Sequence, residues 1–507
     1  MSGIARRSLL SLAATAGAAG ALFLEPVTFA HAADGDEETK DEETKKVSGR
    51  LPTGAPDFVY VPVEVPPGVR EIAVRYRYDK PEVPAGTVGN ALDIGVFDER
   101  GTGPDGRGFR GWSGGARDSF TLSAERATPG YLAGPIRPGT WHVVLGPYTV
   151  APQGLAYELE ITLRYGRQGT TPRPVYPPER ARGRGRTWYR GDCHIHTVHS
   201  DGSRTPEQAA AAARAAGLDF LVTTEHNTIS GHAAWQGLWG DDLLVLCGEE
   251  VTTRNGHYLA LGTEPGTFVD WRYRSRDGAF ARWARRIHRA GGLVVPAHPN
   301  CPFVACQWKF GYEHADAVEV WNGPWTADDE LAVAAWDNML TAAGDSGRWL
   351  PAMGNSDAHT EEHRVGLPQT VVLAEDLTRR AILDGIRAGR SWLAESAELD
   401  LSFEVTGPRG QHAGIGERLT APADAEVVAR LTVSGAPAGG TVRLWTDEGE
   451  MLSATVPDSG RADVSWRTTP SLAAYVRAEI RHRPADEAAE LPGAMAAMTN
   501  PIWLDRA

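Results

Sequence analysis

The sequence predicts a multidomain protein in which an α/β segment, layered or closed into a barrel, lies between two β-sandwich-like segments. At 507 residues the chain is too long for one domain, and about 150 residues per domain gives roughly three. Residues 47–166 and 396–507 alternate apolar and polar side chains with a period of two, as strands do. Residues 187–395 alternate strand-like runs with helices, which is typical of α/β domains.

The first 46 residues are expected to lie outside these domains. Arg6 and Arg7 precede an apolar stretch and an Ala-His-Ala sequence at 30–32, as in a cleaved export signal. The paired arginines favour the twin-arginine export machinery over the general secretory route. Residues 33–46 contain a charged repeat and are expected to form a disordered spacer. We therefore expect residues 1–32 to be removed and the protein to be exported, extracellular or cell-wall associated, without membrane insertion.

The first domain, residues 47–166, is predicted to be a β-sandwich. Its clearest strand-like runs are 58–65, 72–78, 141–145 and 157–163. Residues 167–186 are rich in Pro, Arg and Gly and have little to bury, so we expect a linker.

Helices are predicted only in the middle segment. The first is the best defined, because Thr205 can cap it, Pro206 suits its first turn and Gly217 can end it. The four helices are expected at 206–216 and near 278–290, 328–343 and 376–388. Strand-like runs return at 399–405 and 442–445.

Composition excludes several classes of protein. A net charge of −14 argues against attachment to nucleic acid or anionic membranes through overall charge. Four cysteines are too few for a disulfide scaffold. Cys193 and Cys247 are expected to be buried thiols, whereas Cys301 and Cys306 can form a disulfide or line a pocket after His298.

Histidines and carboxylates follow six strand-like runs of the middle segment. They are His194, His196 and Asp201, then Glu225 and His226, Glu249 and Glu250, His257, His298, and Asp357 with His359. Since the carboxyl ends of barrel strands converge, these side chains are expected to meet.

The spacing of these residues suits metal binding. Alternation along a strand places His194 and His196 on one face, where both imidazoles can reach a single cation, and Asp357 with His359 repeats this arrangement. Histidine and carboxylate ligands suit Zn, Mn or Fe. No cysteine pair has the spacing of a structural zinc site, which favours open catalytic metals.

The order of the motifs H-x-H, S-D-G, E-H-N, G-x-E, G-H, H-P and S-D-A-H resembles the PHP (polymerase and histidinol phosphatase) superfamily of metal-dependent hydrolases over residues 187–395. The sequence V-E-V-W-N-G at 318–323, the Gly256-His257 pair and the two β flanks are most similar to the carbaryl-hydrolase-like CehA/McbA metallohydrolases. The resemblance implies a distorted (β/α)7 barrel and three divalent metal ions per chain.

The resemblance also implies a ligand set, transferred residue by residue. It assigns His194, His196, Glu250 and Asp357 to the first metal, Glu250, His257 and His298 to the second, and Asp201, His226 and His359 to the third. Glu250 is preferred to Glu249 because Gly248 sets the register of the G-x-E motif. Glu225 departs from the pattern, in which Asp commonly precedes the histidine.

The reaction implied is attack by a hydroxide held between two metals on a phosphoester, either a mono- or diester, with Glu250 and Asp357 as catalytic ligands. Arg364 is expected to bind a substrate anion, a surface salt bridge being the alternative. Lys309 and Asn322 are weaker pocket candidates, and His199 is expected in a loop nearby.

Alternatives to this hypothesis remain. The same hydroxide would serve a carboxyl-ester or carbamate hydrolase of the carbaryl-hydrolase type, and a non-catalytic module that binds cell-wall glycans is an alternative of another class. The expected partner is a small-molecule or phosphoester substrate, and nucleic acid enters only as a substrate. The sequence does not define the oligomeric state.

Overall fold

A computed structural model describes residues 21–29, 41–343, 347–484 and 492–507. Most of the predicted export signal (1–20 and 30–32) and residues 33–40 of the predicted spacer lie outside the described residues. The described part of the chain is mostly β structure with four α-helices. None of these helices is long and apolar enough to cross a membrane.

Nine strands precede the middle segment. They are β1 (Ala21–Phe23), β2 (Glu42–Leu51), β3 (Phe58–Val65), β4 (Val69–Tyr78), β5 (Ala91–Phe97), β6 (Phe109–Gly114), β7 (Ser119–Ser123), β8 (Gly139–Thr149) and β9 (Leu155–Tyr165). They form two sheets, in the orders β1-β3-β8-β5-β6 and β2-β9-β4-β7, which enclose a core containing Val61, Val74 and Leu159. Each of the four strand-like runs predicted in this domain is a strand.

The prediction of a disordered spacer was wrong for residues 42–46, which belong to β2. They pair with β9 at the edge of a sheet, where Thr44 and Thr162 share a hydrogen bond of 2.8 Å and Arg164 lies 3.1 Å from Glu42. An exposed edge strand is stabilised by backbone pairing and cross-strand polar contacts, so its lack of apolar residues does not exclude a strand.

The middle segment contains ten strands and four helices. They are β10 (Thr187–Asp192), α1 (Pro206–Ala215), β11 (Phe220–Thr223), β12 (Leu244–Cys247), β13 (Glu249–Thr253), β14 (Gly256–Leu261), α2 (Phe280–Arg289), β15 (Leu293–Pro296), β16 (Val318–Asn322), α3 (Ala327–Ala343), β17 (Ala352–Asn355), β18 (Gln369–Ala374), α4 (Arg379–Arg387) and β19 (Ser391–Ala394). All four predicted helices are present. Thr205 caps α1 by accepting a hydrogen bond from the amide of Gln208.

The sheets of the described middle segment do not close into the expected (β/α)7 barrel. Its strands divide among the sheet β12-β11-β10-β18-β19, the sheet β13-β14-β15 and the pair β16-β17. Only Arg254 and Asn255 separate β13 from β14, and such a short connection produces an antiparallel hairpin rather than a parallel crossover. The strand ends still approach one another, since parallel bridges join His226 to Glu250 and Ile195 to Ala358.

Ten strands follow the middle segment. They are β20 (Asp400–Thr406), β21 (His412–Gly414), β22 (Arg418–Ala421), β23 (Val427–Ser434), β24 (Thr441–Thr446), β25 (Gly449–Thr455), β26 (Ala462–Thr468), β27 (Tyr475–Arg481), β28 (Met495–Thr499) and β29 (Ile502–Arg506). One sheet, β21-β20-β23-β26, belongs to this domain alone. The other continues the β19 edge of the middle segment through β28, β27, β24 and β25, so one sheet crosses the predicted boundary at residue 396.

Candidate metal centre

The ends of two neighbouring strands position the H-x-H motif against Asp357. The amide of Asp357 donates to the carbonyl of His194 at 2.8 Å, and the amide of His196 donates to the carbonyl of Ala358 at 3.2 Å. Asp357 has a φ of 47°, and His298 has a φ of 29°, both in the left-handed region that such residues seldom adopt. Strained backbone of this kind is concentrated at functional sites, where surrounding contacts hold it.

Four donor atoms form the centre of the site: His194 Nε2, His196 Nε2, Glu250 Oε2 and Asp357 Oδ1. Each histidine nitrogen lies 2.9–3.3 Å from both carboxylate oxygens. All four atoms are buried, and none has a hydrogen-bond partner in the described part of the chain. Buried polar atoms without partners are costly, and a shared divalent cation would satisfy all four, so this donor set fits the metal that the sequence implies.

The electrostatics of the centre keep its carboxylates ionised. Burial raises the pKa of Glu250, but the charges of His226, His194 and His257 outweigh burial and hold that pKa well below its usual range. Burial likewise opposes ionisation of Asp357, and His194 and His196 lower its pKa well below the usual range. The centre therefore presents two buried anionic oxygens, as a cation-binding site requires.

The other oxygen of Glu250 faces the second group of predicted ligands. Glu250 Oε1 lies 2.9 Å from His257 Nδ1 and 3.1 Å from His298 Nε2. Cys306 adjoins this group, with its Sγ 3.4 Å from His298 Nδ1, and forms a disulfide with Cys301. Of the two alternatives expected for these cysteines, the structure has the disulfide, and neither cysteine is among the described residues that line the cavity.

The third group surrounds Asp201. Its Oδ1 lies 3.3 Å from His359 Nε2 and 3.5 Å from His226 Nε2. Together with His196 these residues form a further potential metal-binding group. Burial alone would raise the pKa of Asp201, yet His226 and His359 lower it below its usual range. The nine predicted ligands thus gather in one place.

The remaining predicted site residues have different positions. Arg364 is exposed and is not among the described residues that line the cavity beside the ligands, so its contact with a substrate anion stays a prediction. Lys309 is exposed and bonds to Gln307. Asn322 belongs to the site, because its Nδ2 lies 3.3 Å from Asp357 Oδ2. His199 is held by Ser230 at 2.9 Å, beside the site but outside the ligand groups.

Glu319 is a functional residue that the sequence analysis did not assign. This fully buried carboxylate lies 3.1 Å from His194 Nδ1, accepts the backbone amide of His298 at 3.0 Å, and accepts Asn322 and Asn355 at 3.0 and 2.9 Å. It therefore fixes the ring of one ligand and the backbone of another. A signal was present, since Glu319 interrupts the apolar run of β16.

The cavity beside the ligands has a volume of about 230 Å³ and two unlike walls. Asp201, His226 and His257 belong to one wall. The other comes from the first β domain and includes Asp57, Phe58, Asp93, Trp112, Ser113, Gly114, Gly115, Ala116, Gly146 and Tyr148. No sequence motif indicated this contribution, which depends on how the domains pack.

Comparisons with known proteins provide limited information. No family model and no curated protein matches the chain. Among solved structures, a two-domain protein from Bacteroides vulgatus containing a predicted PHP-like metal-dependent phosphoesterase is 16% identical, with a TM-score of 0.35, over 66% of this chain and 100% of that one. A proposed metal-dependent phosphoesterase from Bifidobacterium adolescentis is 20% identical, with a TM-score of 0.25, over 40% and 93%. An amidohydrolase from Chromobacterium violaceum is 20% identical, with a TM-score of 0.25, over 35% and 89%. These scores are too low to establish the chain's fold or activity.

Proposed function

We propose that the protein is an exported, divalent-metal-dependent phosphoesterase of the PHP type. The observation that carries this proposal is the set of four buried donor atoms, from His194, His196, Glu250 and Asp357, that lack hydrogen-bond partners in the described structure. Each imidazole nitrogen lies 2.9–3.3 Å from both carboxylate oxygens, and histidine with carboxylate is a ligand combination that binds divalent cations.

The chain's own residues have defined parts in such a reaction. His194, His196, Glu250 and Asp357 would hold one cation, Glu250 with His257 and His298 a second, and Asp201 with His226 and His359 a third. When bound, the cations supply Lewis-acid chemistry and a hydroxide nucleophile at neutral pH. Glu319 orients His194, and the cavity places a substrate against Asp201, His226 and His257.

The adjoining donor groups support a phosphoester as the substrate. A phosphoryl group carries more negative charge than a carboxyl ester, and neighbouring cations can stabilise both its attacking and its leaving oxygens. A specific observation favours the second candidate, an aryl carboxyl ester or carbamate, because Phe58, Trp112 and Tyr148 give the opposite wall an aromatic surface.

Export is part of the proposal. Arg6 and Arg7 support it, as does the Cys301–Cys306 disulfide, since disulfides persist mainly in oxidising compartments. The twin-arginine route is tested by cell fractionation. We expect the protein outside the cytoplasm, and we expect it to stay in the cytoplasm when both arginines are replaced by Lys.

The activity is tested with metal-loaded full-length protein on aryl phosphate mono- and diesters, naphthyl acetate and a naphthyl carbamate. We expect metal-dependent turnover of a phosphoester that a chelator abolishes. His194→Ala and Asp357→Ala should each reduce kcat/KM by at least about 1,000-fold. His412→Ala, a change of an exposed histidine in the last domain, is the matched control. Turnover of the carboxyl esters alone would favour the second candidate, and no turnover with fully bound metal would refute the hydrolase.

A further inference from the structure

The first β domain packs rigidly against the metal-binding segment. Trp112 on β6 lies 4.9 Å from Trp271, and Phe109 lies 4.7 Å from Phe268, between ring centroids. Hydrogen bonds of 2.9 and 3.1 Å join Gly130 to Thr228 and Ser230. The wall that this domain gives to the cavity is therefore held in a fixed position opposite the metal ligands.

One acidic side chain of that wall has no hydrogen-bond partner in the described part of the chain. The side chain of Asp93, on β5, forms no hydrogen bond or ion pair with any described residue, although it is half-buried. The other acidic residue of the wall, Asp57, is neutralised by Arg274 at 2.6 Å and by Arg254 at 3.4 Å. Burial raises the pKa of Asp93 to about 7, and a carboxyl group that faces a cavity without a hydrogen-bond partner is a ready partner for the hydroxyl groups of a ligand.

Three glycines keep the space around Asp93 open. A Cβ on Gly115 would lie 3.5 Å from Asp93 Oδ1, and one on Gly146 would lie 3.3 Å from Asp93 Cβ and 2.9 Å from the Trp112 ring. Gly114 has a φ of 53°, which favours glycine. Asp93 therefore lies beside an aromatic ring on a part of the wall that carries little side-chain bulk.

The charges around the cavity indicate which part of a substrate lies beside Asp93. A phosphoryl group would be attracted to cations held by Asp201, His226 and His257, whereas the acidic side chain of Asp93 offers it no positive charge. Arg254 of the middle segment, whose guanidinium stacks over Tyr148 at 5.0 Å, also lines the cavity and disfavours a cationic group. A neutral group with hydroxyl donors fits best, because a carboxylate accepts from hydroxyls while aromatic rings contact the C–H faces of a polyol.

We propose that Asp93, with the rings of Trp112 and Tyr148, forms a specificity subsite for the hydroxyl-bearing alcohol part of a small sugar or polyol phosphate. This rests on the proposed phosphoesterase function. A cavity of about 230 Å³ is smaller than the roughly 300–1,000 Å³ of sites for drug-sized ligands, and suits a single monosaccharide or small polyol.

The test compares substrates with and without hydroxyls. For metal-loaded full-length enzyme at pH 8, above the pKa of about 7 that burial gives Asp93, Asp93→Ala should lower kcat/KM for glucose 1-phosphate and glycerol 3-phosphate by about 10- to 100-fold, the loss expected for charge-assisted hydrogen bonds. Turnover of p-nitrophenyl phosphate, which has no hydroxyl on its leaving group, should change by less than about threefold. Asp93→Asn preserves the shape of the side chain and one acceptor, so its kcat/KM for the two hydroxyl-bearing substrates should lie between those of the wild type and Asp93→Ala. This variant provides the test if the alanine variant fails to fold. Asp105→Ala, at an exposed acidic residue of the same domain, is the matched control.

A binding measurement separates this inference from the proposed function. Ligand-detected NMR of the metal-free protein should show contact with methyl glucoside or inositol that Asp93→Ala removes, and none with choline. If that binding is present but no phosphoester is hydrolysed, the proposed function fails and the subsite stands. Equal effects of Asp93→Ala on all phosphoesters, no effect on any, or preferential binding of choline would overturn the subsite.

Discussion

Glu319 is a buried carboxylate that positions two of the predicted metal ligands without belonging to the predicted ligand set. It holds the Nδ1 side of His194, so that Nε2 of that ring faces Glu250 and Asp357. It also fixes the backbone of His298. Because such outer carboxylates set the tautomer and orientation of a histidine ligand, their loss weakens metal binding without removing a ligand.

We therefore expect Glu319→Gln to weaken metal binding by about 10- to 100-fold. The amide would retain one acceptor but lose the charge that favours the Nδ1–H tautomer of His194. Competition titration of zinc with a chromophoric chelator measures the effect. Glu313→Gln, at an exposed glutamate, is the control. Equal zinc affinity of the two variants would show that Glu319 does not act on the metal centre.

A second residue gives a pH dependence that is separate from the metal ligands. Burial lowers the pKa of His232 to about 4. The neutral ring hydrogen-bonds to the carbonyl of Gly248 at 2.8 Å and accepts the amide of Gly266 at 3.0 Å. Since the folded-state pKa lies below the ordinary value of about 6.5, the stabilisation is complete above pH 6.5 and is lost as the pH falls towards 4.

His232→Gln should therefore reduce the loss of stability between pH 6.5 and pH 4, by up to about 3 kcal/mol from a pKa difference of this size. Urea unfolding of the wild type and the variant at several pH values measures this difference, and His412→Gln is the control. If the two unfolding curves shift in parallel with pH, His232 is not a source of the acid sensitivity.

At the scale of elements, the sequence pattern predicted the features that depend on residues close together in the chain. The four helices have the expected positions, and the H-x-H motif and its partners are brought together as expected. Strand pairing was less predictable, because it depends on connection length and on partners far along the chain. The two-residue connection between β13 and β14 makes this pair antiparallel, and β2 pairs with β9, which lies more than 100 residues further along the chain. Asp93 carried no motif, and only the packing of two domains shows that it faces the cavity.

Residues 21–29 provide a test of one element. They lie along β3, where the amide of Leu24 donates to Tyr60 at 2.9 Å and that of Val27 donates to Pro62 at 2.8 Å. Phe29 packs into the core of the first β domain. A chain that begins at residue 33, as expected after signal removal, should fold but be about 1–3 kcal/mol less stable than one that begins at residue 21. Thermal unfolding of both chains measures this, and identical stability would mean that the segment does not contribute to the fold.

At the scale of the whole molecule, the last domain and the metal-binding segment share more than a sheet. Arg477 and Arg481 on β27 are almost completely buried, and Glu479 lies between them at 2.6 and 2.7 Å. Arg477 reaches Asp337 at 2.7 Å, and Arg481 reaches Glu330 at 2.8 Å. Both acceptors lie on α3, so a buried ion network joins the last domain to a helix of the middle segment.

Breaking this network should destabilise both units together. Glu479→Gln removes one of the three carboxylates of the network, so each buried guanidinium loses one charged acceptor while it keeps Asp337 or Glu330, and the change should cost about 1–3 kcal/mol of unfolding free energy. Because β19 and β28 continue one sheet across the domain boundary, the two units should still unfold in a single transition, at lower denaturant concentration.

Glu426→Gln, which breaks an exposed ion pair with Arg467 in the same domain, is the matched control and should change the midpoint little. Urea unfolding followed by tryptophan fluorescence and by far-UV circular dichroism measures both effects. Equal midpoints for the two variants would contradict a structural role for the network, and two separate transitions would contradict the coupling of the domains.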